Sequence, residues 1–249
     1  MKLTIVGCSG SIPGPDSPAS CYLVEHDGFR LVLDLGHGSL GALQRHLSLV
    51  DIDAVVLSHL HADHCIDLTA LHVAHQYGNL GFDGPIAVYG PAATAERVAA
   101  GYGMSSTRPL QGSFAFHEVA VAASIGPFRV EAERVAHPIE AYGIRLEAGG
   151  ASLVYSGDTG PCQALDTLAS GADVLLAEAS FVHGRENPRD LHMTGREAGL
   201  AAADAGVGRL VITHVPPWHD AATAASEAAE VFSGPIDVAT AGMTLDVGR

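Results

Sequence analysis

The chain is poor in several of the features that mark whole classes of function. Among 249 residues it has four cysteines, at positions 8, 21, 65 and 162, and no Cys-x-x-Cys pair. They are read as reduced thiols, mostly buried, in a cytoplasmic protein. Positive charge is scarce: Lys and Arg total 13 against 28 Asp and Glu, a formal net charge of −15. Phosphate affinity comes mainly from Lys and Arg, so this balance argues against a general nucleic-acid binder and against an anionic membrane surface. A small phosphate substrate stays open, because bound metal ions reverse local charge. Charged residues make up only 16% and hydrophobic ones 47%, which excludes a disordered, charge-rich chain. No run of about eighteen apolar residues occurs, so no membrane-spanning helix is expected. The opening Met1-Lys2-Leu3-Thr4-Ile5-Val6-Gly7 lacks a small-residue cleavage site and reads as a first strand. No Pro/Ser-rich linker and no short-period repeat is found.

Histidine, by contrast, is abundant: 14 residues, more than Lys and Arg together. A metal site is therefore the first thing to seek. Apolar and β-branched runs alternate with helical spacing along the chain. Strands are predicted at 3–6, 21–25, 29–34 and 54–57, with a turn at His26-Asp27-Gly28. Helices are predicted over 40–49, 66–75 and 94–100, with a strand at 85–89. A strand-rich run follows at 114–121, 128–136, 142–147 and 152–155. Alternation then returns: helix 163–169, strand 174–177, helix 195–205, strand 210–213, helix 221–232, and strands 236–239 and 243–247. The pattern is that of an α/β chain in two strand-and-helix halves, roughly 1–125 and 126–249, packed as one domain over 1–249.

The densest chemistry is Ser58-His59-Leu60-His61-Ala62-Asp63-His64, directly after an apolar strand. In extended backbone His59 and His61 point the same way, two residues apart. Asp63 and His64, past a bend, can face a second point nearby. Neutral imidazole and carboxylate suit Zn²⁺, with Mn²⁺ or Fe²⁺ also accommodated.

This His-x-His-x-Asp-His segment resembles the signature of the metallo-β-lactamase superfamily, and the resemblance runs over nearly the whole chain. Val135-Ala136-His137-Pro138, Ser156-Gly157-Asp158-Thr159, Val211-Ile212-Thr213-His214 and, upstream, Leu33-Asp34-Leu35-Gly36 match further family elements in order. The resemblance implies a four-layer αββα sandwich and two divalent transition-metal ions, Zn²⁺ foremost. His59, His61 and His137 would hold the first ion, and Asp63, His64 and His214 the second. Asp158 would bridge both, and Asp34 would orient a ligand imidazole. A β-lactamase proper is not implied, because those enzymes lack the bridging Asp. Glu178-Ala179-Ser180 and His192-Met193-Thr194 resemble segments of the ribonuclease Z group, in which the latter His lies near the scissile phosphodiester. On that likeness Asp63, His192 and Glu178 are the candidate catalytic residues, with His192 as general acid. Thr194, with Glu197 three residues on, reads as a helix cap and leaves His192 free.

The departures narrow the substrate. Ribonuclease Z enzymes carry a Pro-x-Lys-x-Arg-Asn loop that serves tRNA. Here the stretch Ile12-Pro13-Gly14-Pro15-Asp16-Ser17-Pro18-Ala19-Ser20 has no Lys, Arg or Asn. His137 and Asp158 are too close in sequence to enclose the basic arm that many of those enzymes insert. The Gly7-Cys8-Ser9-Gly10-Ser11 opening and Tyr155-Ser156-Gly157-Asp158-Thr159-Gly160 resemble a compact actinobacterial group that includes cyclic-nucleotide phosphodiesterases. A small phosphodiester such as 3′,5′-cyclic AMP is therefore the expected substrate, with tRNA and membranes not expected as partners. A tRNA 3′-end endonuclease, a thioester or lactone hydrolase and a non-catalytic metal-binding scaffold are the alternatives. Related enzymes are commonly homodimers, but nothing in this sequence marks a dimer face. Of the remaining candidates, His72 and His75 are expected on a helix face or pocket rim and His37 at the rim. His219 is expected to be exposed, Cys65 buried, and Trp218 either stacked on a base or packed.

Overall fold

The computed structural model describes residues 1–121 and 124–248. Two seven-stranded mixed sheets face one another, each covered on its outer side by helices. The first half of the chain runs β1 (Lys2–Gly7), β2 (Cys21–His26), β3 (Phe29–Leu33), α1 (Ser39–Leu43), β4 (Ala54–Val56), α2 (Ala62–Cys65), α3 (Leu68–Tyr77), β5 (Ile86–Gly90), α4 (Thr94–Tyr102) and β6 (Phe114–Glu118). The second runs β7 (Ser124–Ile125), β8 (Phe128–Arg134), β9 (Tyr142–Ala148), β10 (Ala151–Tyr155), α5 (Gln163–Ala169), β11 (Val174–Glu178), α6 (Gly195–Ala205), β12 (Leu210–Thr213), α7 (Ala221–Ala229), β13 (Ile236–Val238) and β14 (Thr244–Asp246). The sheet orders are β14-β1-β2-β3-β4-β5-β6 and β13-β12-β11-β10-β9-β8-β7. Each sheet starts as an antiparallel meander, with tight turns at β2–β3, β7–β8 and β9–β10 and longer loops at β1–β2 and β8–β9, and becomes parallel where longer, mostly helical connections make the crossovers. β14 returns from the far end of the chain to pair antiparallel with β1, Lys2 opposite Asp246.

Strand alternation builds the layers. In β3, Leu31 and Leu33 face the opposite sheet while Val32 faces the helices; in β10, Leu153 and Tyr155 point inward and Val154 outward. Between the sheets Leu3, Ile5, Val56, Phe128, Ile144 and Leu176 form one buried layer. Tyr22 and Tyr155 meet across it with ring centroids 5.0 Å apart. Truncating one of these fully buried leucines to Ala removes about 2–5 kcal/mol. Local chemistry sets helix ends as expected at α6: the Thr194 hydroxyl accepts from the Glu197 amide, and the Glu197 side chain accepts from the Thr194 amide. Asp220 caps α7 by accepting from the Ala222 amide.

Two expectations change. The predicted helix 40–49 is a single turn, α1, followed by a 3-10 turn at Leu49–Asp51. Gly41 costs about 1 kcal/mol inside a helix and no side chain caps the start, so leucine spacing alone does not carry it further. The strand predicted over 114–121 ends at Glu118 and gives way to a 3-10 turn; Ala122 and Ala123 lie outside the described residues. No helix among the described residues is long and apolar enough to cross a membrane.

Candidate metal centre

The parallel strands of both sheets end at one edge of the sandwich, the usual place for chemistry in open α/β sheets. Asp34 follows β3, Ser58 to His64 follow β4, Asp158 follows β10, Glu178 ends β11 and His214 follows β12; His137 joins them beyond β8. Asp34 and His214 take left-handed backbone, φ 57° and 54°. Non-glycine residues rarely occupy this region, so both turns are held by what surrounds them. At His214 the neighbour is Gly10: a Cβ there would lie 2.3 Å from the His214 carbonyl oxygen, and only glycine permits the approach.

The histidines expected as ligands converge. His59, His61, His137 and Asp158 form one group of donor atoms, all within 4.8 Å of each other; Asp63, His64, Asp158 and His214 form another. Asp158 belongs to both, with Oδ1 3.2 Å from His64 Nε2, and Oδ2 3.3 Å from His214 Nε2 and 3.6 Å from His59 Nε2. Asp63 Oδ2 lies 3.5 Å from His64 Nε2 and 3.7 Å from His214 Nε2.

The outward ring nitrogens of His59, His64, His137 and His214 are tied down. Asp34 is fully buried and accepts from the Ser58 amide (2.7 Å), the Ser58 hydroxyl (2.8 Å), the Tyr155 hydroxyl (2.7 Å) and His64 Nδ1–H (2.7 Å). Because the Ser58 hydroxyl spends its proton on Asp34, its oxygen accepts from His59 Nδ1–H at 3.0 Å. His137 Nδ1–H donates to the Leu191 carbonyl (3.0 Å), and Ser20 Oγ holds His214 Nδ1 at 2.8 Å. Fixing Nδ1 in this way turns Nε2 into a lone-pair donor aimed inward. Sequence reasoning found Asp34 through the family pattern but missed Ser20, Ser58 and Tyr155, whose roles arise from contacts between strands.

Whether these residues fit a metal can be judged from unsatisfied atoms. His64 Nε2, His214 Nε2 and Asp158 Oδ1 are buried with no hydrogen-bond partner among the described residues. Such groups are expensive to bury unless something binds them. His59 Nε2 and His137 Nε2 both face His61 Nδ1 at 3.1 Å. One ring proton cannot satisfy two lone pairs. Burial holds His59, His61 and His137 below the usual imidazole range, which keeps them neutral as ligation requires. Burial also opposes charge on Asp158, but His214, His64 and His59 around it hold its carboxyl well below the usual range. His64 goes the other way: burial disfavours its cation, yet Asp158 and Asp34 raise it well above the usual value. A field that retains a proton there is one that favours a cation. The donor set fits two divalent ions.

Beside this cluster His192 Nδ1 stands 2.8 Å from Glu178 Oε1 and 3.9 Å from Asp158 Oδ2. Burial works against its charge, and Glu178 overrides it, raising the ring to about 9. Glu178 is fully buried; its oxygens also accept from the Thr159 amide (2.9 Å) and the Ser180 amide (3.1 Å). With Asp158 and His192 it forms a third group of donor atoms within 4.8 Å of one another. None of the other histidines belongs to a donor group among the described residues. His72 is buried and pairs with the Ser113 hydroxyl, not at a rim; His75 pairs with the Gly84 carbonyl. His219, expected to be exposed, is half-buried because its Nδ1–H donates to the Ser180 carbonyl. Cys65 is buried and its thiol faces the Leu60 carbonyl, while Trp218 is 60% exposed.

Residues 30–215, three quarters of the chain, match the model of the beta-lactamase superfamily domain. The chain belongs to the beta-lactamase superfamily. Within this superfamily, an uncharacterized protein of Mycobacterium tuberculosis is 44% identical over 260 residues, covering all of this chain and 93% of that one. Ribonuclease Z of Mycobacterium bovis is 32% identical over 280 residues, covering 96% and 95%. The probable metallo-hydrolase YhfI of Bacillus subtilis is 30% identical over 244 residues, covering 97% and 98%. The crystal structure of YhfI shares the metallo-β-lactamase fold with a TM-score of 0.88 at 28% identity, covering 98% of each chain. Superfamily membership and the donor clusters together support a metal-dependent hydrolase.

Proposed function

We propose that the chain is a dinuclear-metal phosphodiesterase acting on a small phosphodiester such as 3′,5′-cyclic AMP. The carrying observation is Asp158, shared by both donor groups and flanked by the Glu178–His192 pair. In this reading His59, His61 and His137 hold one ion, Asp63, His64 and His214 the other, and Asp158 both. Zn²⁺ suits the imidazole-rich set best, with Mn²⁺ and Fe²⁺ as substitutes. Bound there, the ions supply Lewis-acid charge and lower the pKa of an attacking water. The chain's own residues do the rest. Asp63 orients the water. Glu178 favours the protonated form of His192 and holds its Nδ1–H, which leaves Nε2 as the nitrogen that delivers a proton to the leaving oxygen.

The resemblance to a ribonuclease Z supports phosphodiester chemistry. The net charge of −15, together with a loop at 12–20 that has no Lys or Arg, supports a small substrate. A cyclic mononucleotide brings one negative charge, which the ions and cleft walls suffice to hold. The test is to assay purified, metal-loaded protein on 3′,5′-cyclic AMP, bis-p-nitrophenyl phosphate, precursor tRNA and thioesters under identical salt. Conversion of cyclic AMP to a 5′-monophosphate with little tRNA cleavage is expected. Efficient tRNA 3′-end cleavage without cyclic-nucleotide turnover would establish the ribonuclease Z reading instead, and thioester or lactone hydrolysis alone would remove the phosphodiester argument. Two bound ions with no turnover of any substrate would make the chain a metal-binding scaffold.

A further inference from the structure

A recess of about 270 Å³ opens from His192 toward the segment before it, lined by Pro161, Phe181, Asn187, Pro188, Arg189 and Asp190. The metal cluster and the Glu178–His192 pair leave these residues without a role. Cleft volumes for drug-sized ligands run from roughly 300 to 1,000 Å³, so a recess of this size takes one ring system and not a length of oligonucleotide.

Its walls and rim differ in kind. Phe181 meets His192 edge to face with ring centroids 5.1 Å apart, and together with Pro161 and Pro188 gives apolar surface on which a flat ring can lie. The rim is polar and mixed. Arg189 supplies donors and Asp190 acceptors, and neither makes a hydrogen bond or ion pair among the described residues. Asn187 Nδ2 donates to the Val182 carbonyl at 3.1 Å, which fixes the amide and leaves Oδ1 as an acceptor. The Glu197 carboxylate also lines the recess, so Arg189 is outnumbered by Asp190 and Glu197, and the rim has no excess of positive charge to select a second phosphate. It suits a neutral planar group with donors and acceptors on its edge, as a purine base has.

The segment is also anchored to the reaction centre. The Leu191 carbonyl accepts from His137 Nδ1–H, and Gly160 lets the Asp190 backbone close in; a Cβ there would stand 2.9 Å from Asp190 Cα. Asp190 itself takes left-handed backbone, φ 54°. The recess is thereby held in register with the donor cluster.

We infer that this recess is the nucleobase subsite of the cleft, with Arg189 as a residue that sets substrate specificity and Phe181 as the stacking face. The inference rests on the phosphodiesterase reading for what the bound nucleotide is, but its test does not need turnover. Calorimetry of Zn²⁺-loaded protein with 5′-AMP and with ribose 5-phosphate compares ligands that differ by the base. Wild type is expected to bind 5′-AMP roughly tenfold more tightly. Arg189→Ala and Phe181→Leu should each shrink that ratio severalfold while metal content and circular dichroism stay those of wild type. In the kinetic arm, Arg189→Ala should raise KM for 3′,5′-cyclic AMP several times more than KM for bis-p-nitrophenyl phosphate, which has no base. Equal binding of 5′-AMP and ribose 5-phosphate by wild type, or a ratio unmoved in both variants, would overturn the subsite. If the ratio holds while no phosphodiester is hydrolysed, the reaction assignment fails and the subsite stands.

Discussion

The two sides of the cleft contribute to it in opposite ways. The first sheet offers His59, His61, Asp63 and His64 from one short segment, the loop after β4 running into α2, braced from a single buried carboxylate, Asp34. The second sheet offers His137, Asp158, His192 and His214 one at a time, each at a different strand end or loop, and the three histidines each have their own support. A loop of adjacent ligands costs little ordering beyond the loop itself, whereas scattered ligands meet only when their sheet is formed and docked. Metal binding at both points therefore reports the closed sandwich.

Asp158 is where the two sides join, so its loss should do most. Asp158→Ala is expected to lower bound metal from two ions to one or none per chain, with activity falling roughly a thousandfold or more. Elemental analysis reads this directly; two ions retained would mean the sides are held together by something else. Next comes His192, supplied by the second side alone. His192→Ala should keep both ions and lower cyclic AMP turnover by about a hundredfold, with a much smaller loss on p-nitrophenyl leaving groups that need little protonation. Equal losses on both would remove the proton-donor role.

The supports should separate the sides further. Asp34→Asn loosens the whole first-sheet loop and is expected to cost about ten- to a hundredfold in metal affinity, measured by chelator competition. Ser20→Ala frees only His214 and should cost no more than about tenfold by the same measurement. If the two variants fell equally, the loop would not be the braced unit described. The smallest effect concerns Cys65, next to the loop. Burial pushes its thiol up to about 11, so little thiolate exists at pH 8, and labelling should rise as pH climbs toward that value. Native protein treated with iodoacetamide at pH 8 should leave Cys65 and the buried Cys21 unlabelled, as read by peptide mass spectrometry. Faster labelling of Cys65 in Asp34→Asn would register the loosened loop.

The same contrast governs what could be read from sequence. The first-sheet loop declares itself, because its ligands are neighbours and follow an apolar strand. His137, Asp158 and His214 are ordinary strand-end residues in isolation; only family resemblance marks them. The supports were less legible still. Ser20 lies far along the chain from His214, and Tyr155 from Asp34, and no local pattern encodes a hydrogen bond made between strands or sheets. Glu178 was recognisable as a residue of interest, but not as a carboxylate whose hydrogen bonds go to Thr159, Ser180 and His192. Among the fold elements, buried strands and capped helices such as α6 were legible, since pattern and cap agree there. The stretch 40–49 was not, because its leucines reach the core through a single turn and a 3-10 turn.

The pairing of β14 with β1 has a consequence for how the protein is made. β1 is synthesised well before its outer neighbour, because Asp246 stands 244 positions after its partner Lys2. At about 5–20 residues per second, nascent β1 waits on the order of tens of seconds with one row of amides and carbonyls unpaired. Such an open margin is where nascent chains stick to one another, and a lysine on it is a common safeguard. The only lysine in the chain, Lys2, stands there.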